Sequence, residues 1–409
     1  MWLYNLGISL YAGGIRLAAL WHGKARLWSE GRRNIFERME AAVRPSDRIV
    51  WVHAASLGEF EQARPIIERL RAEHPEYKIL LTFFSPSGYE IRKNYEGADY
   101  VFYLPADTPS NARRFLDIVH PEIAIFIKYE FWINLLSELR RRKVRSYIVS
   151  AIFRRNSVFF RPYGAMWRQA LETFDTLFVQ NVESKRLLSE IGFDNVVVAG
   201  DTRFDRVAQI AAAAQRVETI ERFRGGGRLF VAGSTWGPDE EILLPLVNAN
   251  PDVKFVIAPH EMDEGRIAHL MRDAKGGAVR YTQCDAATRF DDVQVLVLDT
   301  MGMLSSVYGS ATWAYVGGGF GVGIHNTLEA ATFGLPIAFG PNYGKFKEAR
   351  DMVSLGCAVS VRTAGELAAW FAPLRDVEET LRRASRTAKD YTARNQGATG
   401  IILRSIFNS

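Results

Sequence analysis

Residues 51–68, WVHAASLGEFEQARPIIE, read as a buried strand, a tight turn and a helix that opens with an acid. Val50, Trp51 and Val52 favour β structure, the small residues Ala54, Ala55 and Ser56 end the run, and Ile66, Ile67 and Leu70 recur at helical spacing. Glu59 therefore stands where a strand ends and a helix begins, which in open α/β sheets is the ligand-bearing end. The same spacing has a second reading. Ser56 and Glu59 lie three apart and fit a capping box, and the helix dipole favours the charged form of such an acid, making it a weaker base.

On either side of this segment short apolar runs alternate with longer amphipathic stretches. RIVWVHA, KILLTFF, YVFYL, IAIFI, RSYIVSA, TLFVQ and NVVVAG fill the first half; RLFVAGS, KFVIAP, VQVLVLD, ATWAYVGGG and LPIAFG fill the second. Such alternation predicts parallel sheets covered by helices on both faces. The expected organisation is two doubly wound, Rossmann-like α/β domains at 46–210 and 228–409, the second ending in a C-terminal helix. A helix-prone linker at 211–227 joins them, and an N-terminal region at 1–45 precedes them. A chain of 409 residues is long for one core, and a two-domain protein of this type is expected to bind its ligand in the central cleft that the halves face.

Apolar residues make up 48% of the chain and charged ones 24%, which excludes disordered, collagen-like and polytopic membrane classes. Cys284 and Cys357 are too few for a disulfide framework and lack metal-ligand spacing, pointing to a reducing compartment. Arg140, Arg141, Arg142, Lys143 and Arg145, with Arg154, Arg155 and Arg161 soon after, form either a solvated face or a docking surface for an acidic partner. No nucleic-acid recognition motif accompanies them. The first residues, MWLYNLGISLYAGGIRLAALW, are apolar with one charge, Arg16, and are followed by the basic residues Lys24, Arg26, Arg32 and Arg33. This predicts an N-terminal apolar anchor helix lying in an anionic membrane surface, the other reading being a core helix packed on the first domain.

Three further segments carry candidate chemistry. YVGGGFGVGIHNTLEAATFG, residues 315–334, leaves a strand through glycines and enters a helix at about Asn326, a pattern that suits an anion or serves as a tight connection. Asn326 and Glu329 share one helix face, and Glu329 either binds ribose hydroxyls or is a solvated acid favoured by the dipole. IAIFIKYEFWINL places Glu130 just beyond a strand, beside Lys128 and Trp132, for acid/base work or for a salt bridge. LLTFFSPSG ends another strand at Ser85, so a parallel sheet would bring Glu59, Ser85 and Glu130 to one rim. HEMDE after Pro259 lacks the second histidine of a zinc helix, no Asp-x-Asp occurs, and no metal is expected.

In order along the chain, WVHAASLGE, TFFSPSGYE, YLPADTPSNARRFL, KYEFWIN, GDTRFD, VAGSTWGPDEE, LDTMGM, VGGGFGVGIHNTLEAA and GLPIAFGP resemble the 3-deoxy-D-manno-oct-2-ulosonic acid (Kdo) transferases, which glycosylate the lipid A precursor in Gram-negative bacteria. The resemblance implies the GT-B architecture and an inverting transfer of Kdo from the donor substrate CMP-Kdo to a hydroxyl of lipid IVA, without cofactor or metal, at the cytoplasmic face of the inner membrane. It further implies that Glu59 is the general base and that Glu130 and Arg203 stabilise the transition state. The cytidine nucleotide would lie against Pro259, His260, Met301, Gly302, Met303, Asn326, Thr327, Leu328 and Glu329. Where Arg203, His260 and Met303 stand, the family usually has Lys, Arg and an acid. A related GT-B enzyme using a UDP-sugar, and a non-catalytic nucleotide-binding scaffold, are the competing readings.

Overall fold

The computed structural model describes residues 1–408, which form two compact units: Met1–Arg206 with the chain from Gln396 onward, and Val207–Asn395. The first is built on β1 (Ile49–His53), β2 (Lys78–Phe83), β3 (Tyr100–Tyr103), β4 (Ile123–Ile127), β5 (Arg145–Ala151), β6 (Thr176–Val179) and β7 (Val196–Val198). These pair in parallel in the order β3-β2-β1-β4-β5-β6-β7. Successive side chains of β1 point to opposite faces, so Ile49 and Trp51 enter one apolar cluster with Leu80 and Phe126, while Val50 and Val52 enter another with Leu81 and Ile125. Burial on both faces is what a near-continuous apolar strand needs.

The second unit repeats the plan with β8 (Leu229–Thr235), β9 (Lys254–Pro259), β10 (Ala278–Arg280), β11 (Val295–Val297), β12 (Trp313–Val316), β13 (Ile337–Phe339) and β14 (Ala358–Ser360), again parallel, in the order β10-β11-β9-β8-β12-β13-β14. All twelve apolar runs singled out in the sequence are strands. The short edge strands β10 and β14 were not anticipated, because AVR and AVS carry too brief an apolar signal.

Three expected boundaries move. The segment expected as a linker contains the helix Glu218–Arg224, whose Ile220 and Phe223 are buried in the core of the second unit. The C-terminal helix Ala398–Phe407 belongs to the first unit instead of the second: Ile402, Leu403 and Ile406 join the β1 cluster, and the Phe407 ring stacks on His74 at 4.0 Å. Asp205 fixes this return by accepting from the Thr399 amide at 2.7 Å and its hydroxyl at 2.6 Å. The basic flank is also part of the first unit, since Trp28, Ile35 and Met39 are buried. Arg32 lies 3.9 Å above the Trp28 ring and donates to the carbonyls of Leu104 and Phe84, each at 2.8 Å. Burial pulls its pKa down to about 9.

The N-terminal helix spans Trp2–Ala18 and has no fully buried residue, yet it packs on the first unit through Tyr4, which lies against the core, and Tyr11, whose ring meets Trp28 and Phe84. Among the described residues no helix is long and apolar enough to cross a membrane. At 1.5 Å per residue its 17 residues reach about 26 Å, short of the roughly 30 Å hydrocarbon layer. The expected anchor is therefore corrected in that respect.

Candidate active site

In the first sheet the chain runs outward from β1 to β3 and then returns to the other side of β1 as β4, so the point of reversal lies between β1 and β4. Open α/β sheets bind ligands beyond the carboxyl ends of strands at such a reversal. Glu59 follows β1 and Glu130 follows β4, and the third strand end joins them: the Ser85 amide donates to the Ala55 carbonyl at 2.7 Å.

Glu59 occupies the third position of the helix Leu57–Glu73 and completes a capping box with Ser56, whose amide donates to Glu59 Oε2 at 3.2 Å. Capping does not exclude a second role for the same carboxylate. Burial, and next the charge of Glu130, raise the Glu59 pKa above the ordinary glutamate value; His53, Lys128 and the backbone oppose this without cancelling it. The dipole does not win here, contrary to the weaker-base reading. Lys128, with φ of +69°, turns the chain sharply between β4 and Glu130.

Glu130 is buried, and its Oε2 accepts from the Trp132 indole at 2.7 Å and contacts His53 Nε2 at 3.2 Å. The Trp132 and His53 rings hold it. His53 is fully buried at the end of β1, and sequence reading passed over it because a lone histidine closing an apolar strand carries no motif of its own.

Arg203 opens the helix Arg203–Ala213, and its guanidinium meets Asp201 Oδ2 at 2.8 and 2.9 Å. Burial works to raise the Asp201 pKa, but Arg203 together with the Gln62 amide holds it below the usual carboxylate range. Gln62 donates to Asp201 at 3.0 Å and lies one helical turn beyond Glu59, so Arg203 is tied to the same helix as the candidate base. The first unit thus gathers Glu59, Glu130 and Arg203.

In the second sheet the reversal lies between β8 and β12. Beyond these ends the rings of Trp236, His260 and His325 stack, with centroids 4.8 and 4.3 Å apart, and Trp236 Nε1 donates to His325 Nε2 at 3.2 Å. Burial, then His260, lowers the His325 pKa. Pro259 closes β9 and is buried, while the His260 amide donates to the Thr235 carbonyl at 2.9 Å. Met301 is exposed, Gly302 has φ of +85°, and Met303 caps the helix Leu304–Tyr308. Glu329 accepts from Asn326 Nδ2 at 3.0 Å and from Ser305 Oγ at 2.8 Å, joining these two segments.

Two expectations about this loop are corrected. The helix begins at Leu328, not Asn326, and the Leu328 side chain is fully buried, facing the core because it is apolar. Thr327 is buried as well, its hydroxyl without a partner. The glycine run serves the chain's own packing: a Cβ at Gly317 would lie 2.2 Å from the Ser234 carbonyl oxygen, and one at Gly319 would lie 2.6 Å from Gly340 Cα. The anion met by the Gly318 amide is Asp239, at 2.9 Å, which also accepts from the Tyr315 hydroxyl at 2.7 Å and the Trp236 amide at 2.9 Å. Neither Trp236, His325 nor Asp239 was singled out from the sequence.

Among the described residues no group of three or more His, Cys, Asp or Glu side chains is disposed to hold a metal. The basic run is a paired surface: Arg140 meets Glu172 at 2.6 Å, Arg141 and Arg142 share Glu138, and Arg155 meets Glu190.

Residues 32–206 match the family described as 3-Deoxy-D-manno-octulosonic-acid transferase (kdotransferase). The chain is 25% identical over 378 residues to the 3-deoxy-D-manno-octulosonic acid transferase of Haemophilus influenzae, covering 88% of this chain and 86% of that one. It is 28% identical over 373 residues to the enzyme of the same name from Bordetella pertussis, covering 87% and 86%. Among solved structures it is similar to UDP-GlcNAc 2-epimerase from Neisseria meningitidis bound to UDP-GlcNAc, with TM-score 0.62, 16% identity and coverage of 88% and 100%. It is also similar to MurG from Acinetobacter baumannii, with TM-score 0.55, 13% identity and coverage of 89% and 100%. At such identities these two likenesses establish the fold alone, two parallel-sheet α/β domains of the GT-B kind.

Proposed function

We propose that this chain, which belongs to the Kdo transferase family, is an inverting glycosyltransferase that moves Kdo from CMP-Kdo to a hydroxyl of the lipid A precursor lipid IVA, with Glu59 as general base. The observation that carries the reading is the placing of a half-buried carboxylate, Glu59, and a buried one, Glu130, at one sheet reversal, the first with its basicity raised by desolvation and by the second.

The acceptor hydroxyl gives its proton to Glu59 as its oxygen bonds to the anomeric carbon of Kdo. The bond from that carbon to the cytidylate oxygen breaks on the opposite side, configuration inverts, and CMP leaves with the electron pair. Positive charge gathering on the sugar ring is met by the Glu130 carboxylate, and Arg203 faces the developing negative charge of the leaving group. The second unit holds the nucleotide against Pro259, His260, Met301, Gly302, Met303, Asn326, Thr327 and Glu329, with Leu328 contributing only through the backbone. The leaving group carries one phosphate, and the reading assigns no metal or cofactor to its departure.

The acceptor and the membrane enter through the N-terminus. Trp2, Leu3, Leu6, Leu10, Leu17 and Trp21 are exposed, an apolar surface that suits a helix lying in an anionic interface at the cytoplasmic face of the inner membrane. A cavity of about 780 Å³ beside it is lined by Arg16, Arg26, Arg33, Leu20 and Phe36 together with Glu30 and Glu37, a mixture of cationic and apolar walls that suits a phosphorylated amphiphile. The basic run at Arg140 to Arg155 offers less, since its arginines are paired.

Mass spectrometry of lipid IVA after incubation with the native protein and fresh CMP-Kdo tests the reading: mass increments of one or more Kdo residues are expected. An unchanged lipid, with CMP-Kdo intact, sinks it. Thermal shift separates the donor classes, because CMP should stabilise the protein and UDP should not.

A further inference from the structure

Beyond the carboxylates lies a relay of hydrogen bonds that orients His53. The Trp51 indole can only donate, and it lies 2.8 Å from Thr82 Oγ1, which must therefore accept. The hydroxyl keeps its own hydrogen to give away. His53 Nδ1 is 2.9 Å from that hydroxyl and 3.2 Å from the Thr82 carbonyl, and the carbonyl already accepts from the Ala54 amide at 3.0 Å.

At the other side of the ring, Nε2 lies 3.2 Å from Glu130 Oε2 and 3.1 Å from the Trp132 indole nitrogen, whose hydrogen goes to the same carboxylate oxygen at 2.7 Å. If Nδ1 alone carried the proton, Nε2 would turn a lone pair toward a carboxylate oxygen. If Nε2 carries it, each polar group has its complement: Trp51 to Thr82, Thr82 to His53, His53 to Glu130 and Trp132 to Glu130. The ring is otherwise packed against Trp51, Phe126 and Trp132, which fix its plane. The charged groups that share its field are Glu130, Glu59 and Lys128.

We infer that His53 is a positioning residue for Glu130, its ring held by Thr82 with Nε2 as the donor to the carboxylate, and that it aims the Glu130 carboxylate at the reacting sugar. This rests on the transferase reading for its kinetic consequence but not for the hydrogen on Nε2 itself. With Glu130 fixed in charge and place, the field that strengthens Glu59 as a base is fixed too. No other residue on β1 combines full burial with a polar contact to either acid.

Two measurements test it. In the full-length protein labelled with ¹⁵N in histidine rings, the His53 signals, assigned by their loss in His53→Gln, should report a hydrogen on Nε2. A pattern with Nε2 bare overturns the inference, and this holds whether or not transfer is observed, so its failure is separable from that of the proposed function. In the transfer assay, His53→Leu should lower kcat about tenfold, leave KM for CMP-Kdo unchanged, and move the acid limb of the rate profile to higher pH, because ionised Glu59 and Glu130 then face each other without the ring's donor. His53→Gln, whose amide can donate to Glu130, should recover most of kcat and the native limb. Equal losses in the Leu and Gln variants, or a native limb in His53→Leu, overturn it. Should His53→Leu fail to fold, Thr82→Val removes only the hydroxyl, and it should alter the ¹⁵N pattern of the ring; an unaltered pattern in that variant overturns the relay.

Discussion

The phenol of Tyr4 donates to Asp107 Oδ2 at 2.6 Å, joining the N-terminal helix to a buried acid that also accepts from the amides of Asn134 at 3.0 Å and Leu135 at 2.9 Å. Those amides lie in the first turn of the helix Ile133–Arg142, which is separated from Glu130 by Phe131 and Trp132. Burial raises the pKa of Asp107 in spite of its three donors. Tyr4→Phe should cost about 1–2 kcal/mol, and Asp107→Ala about 2–4 kcal/mol because it also strands helix amides. Denaturant unfolding of the two variants measures the order; a Tyr4→Phe protein as stable as the native one refutes the assignment.

Tyr4 and Tyr11 face the first unit, and other large apolar residues of the N-terminal helix face outward. Its large apolar residues Leu6 and Leu10 are 49% and 67% exposed, so replacing both by Glu should leave the unfolding free energy within about 0.5 kcal/mol of native. Sedimentation with vesicles rich in anionic lipid should show at least about tenfold weaker binding. Undiminished vesicle binding would remove this helix from the interface.

The double role of Glu59 can be divided by side-chain choice. Glu59→Gln keeps an oxygen for the Ser56 amide but cannot take a proton, whereas Glu59→Ala loses both. Both should lower kcat by about 10²–10⁴, and only the Ala variant should also lose about 1 kcal/mol of stability. Glu59 acts as a base only when ionised, and its pKa is raised, so kcat/KM of the native enzyme should fall on acidification at a pH above the ordinary glutamate value of about 4.3. A Glu59→Gln enzyme of native rate, or an acid limb at or below that value, contradicts the role.

Glycines of the second unit are predicted to differ by what surrounds them. Gly317→Ala forces a Cβ against the Ser234 carbonyl and should cost about 2–4 kcal/mol, while at Gly321 the nearest atom would be 3.7 Å away and Ala should be close to neutral. Comparing melting temperatures of the two variants checks this. If Gly321→Ala is the more damaging, the loop serves a purpose other than close backbone packing.

Much of this fold was legible in the chain. Strands such as Val50–Val52 and Ile123–Ile127 are buried on both faces, so each had to be an unbroken apolar run, and Glu59 had to follow the first of them across a small-residue turn. The candidate acids at 59 and 130 were visible for the same reason: a charged side chain directly after a buried strand stands out. His53 and Asp239 did not stand out, because their meaning lies in partners 29 to 79 residues away. The C-terminal helix was misassigned for a similar cause, its apolar face being as suited to one sheet as to the other until Asp205 and the β1 cluster claimed it.

The sequence by itself determined twelve of the strands and which strand ends carry the candidate acids, since those follow from local burial and local turns. Tertiary structure alone decided that β1 lies beside β4, so that Glu59, His53 and Glu130 meet, and that the Gly318 amide faces Asp239. Strand order is set by how whole faces pack and how crossovers wind, and similar apolar runs within a sheet do not encode that locally.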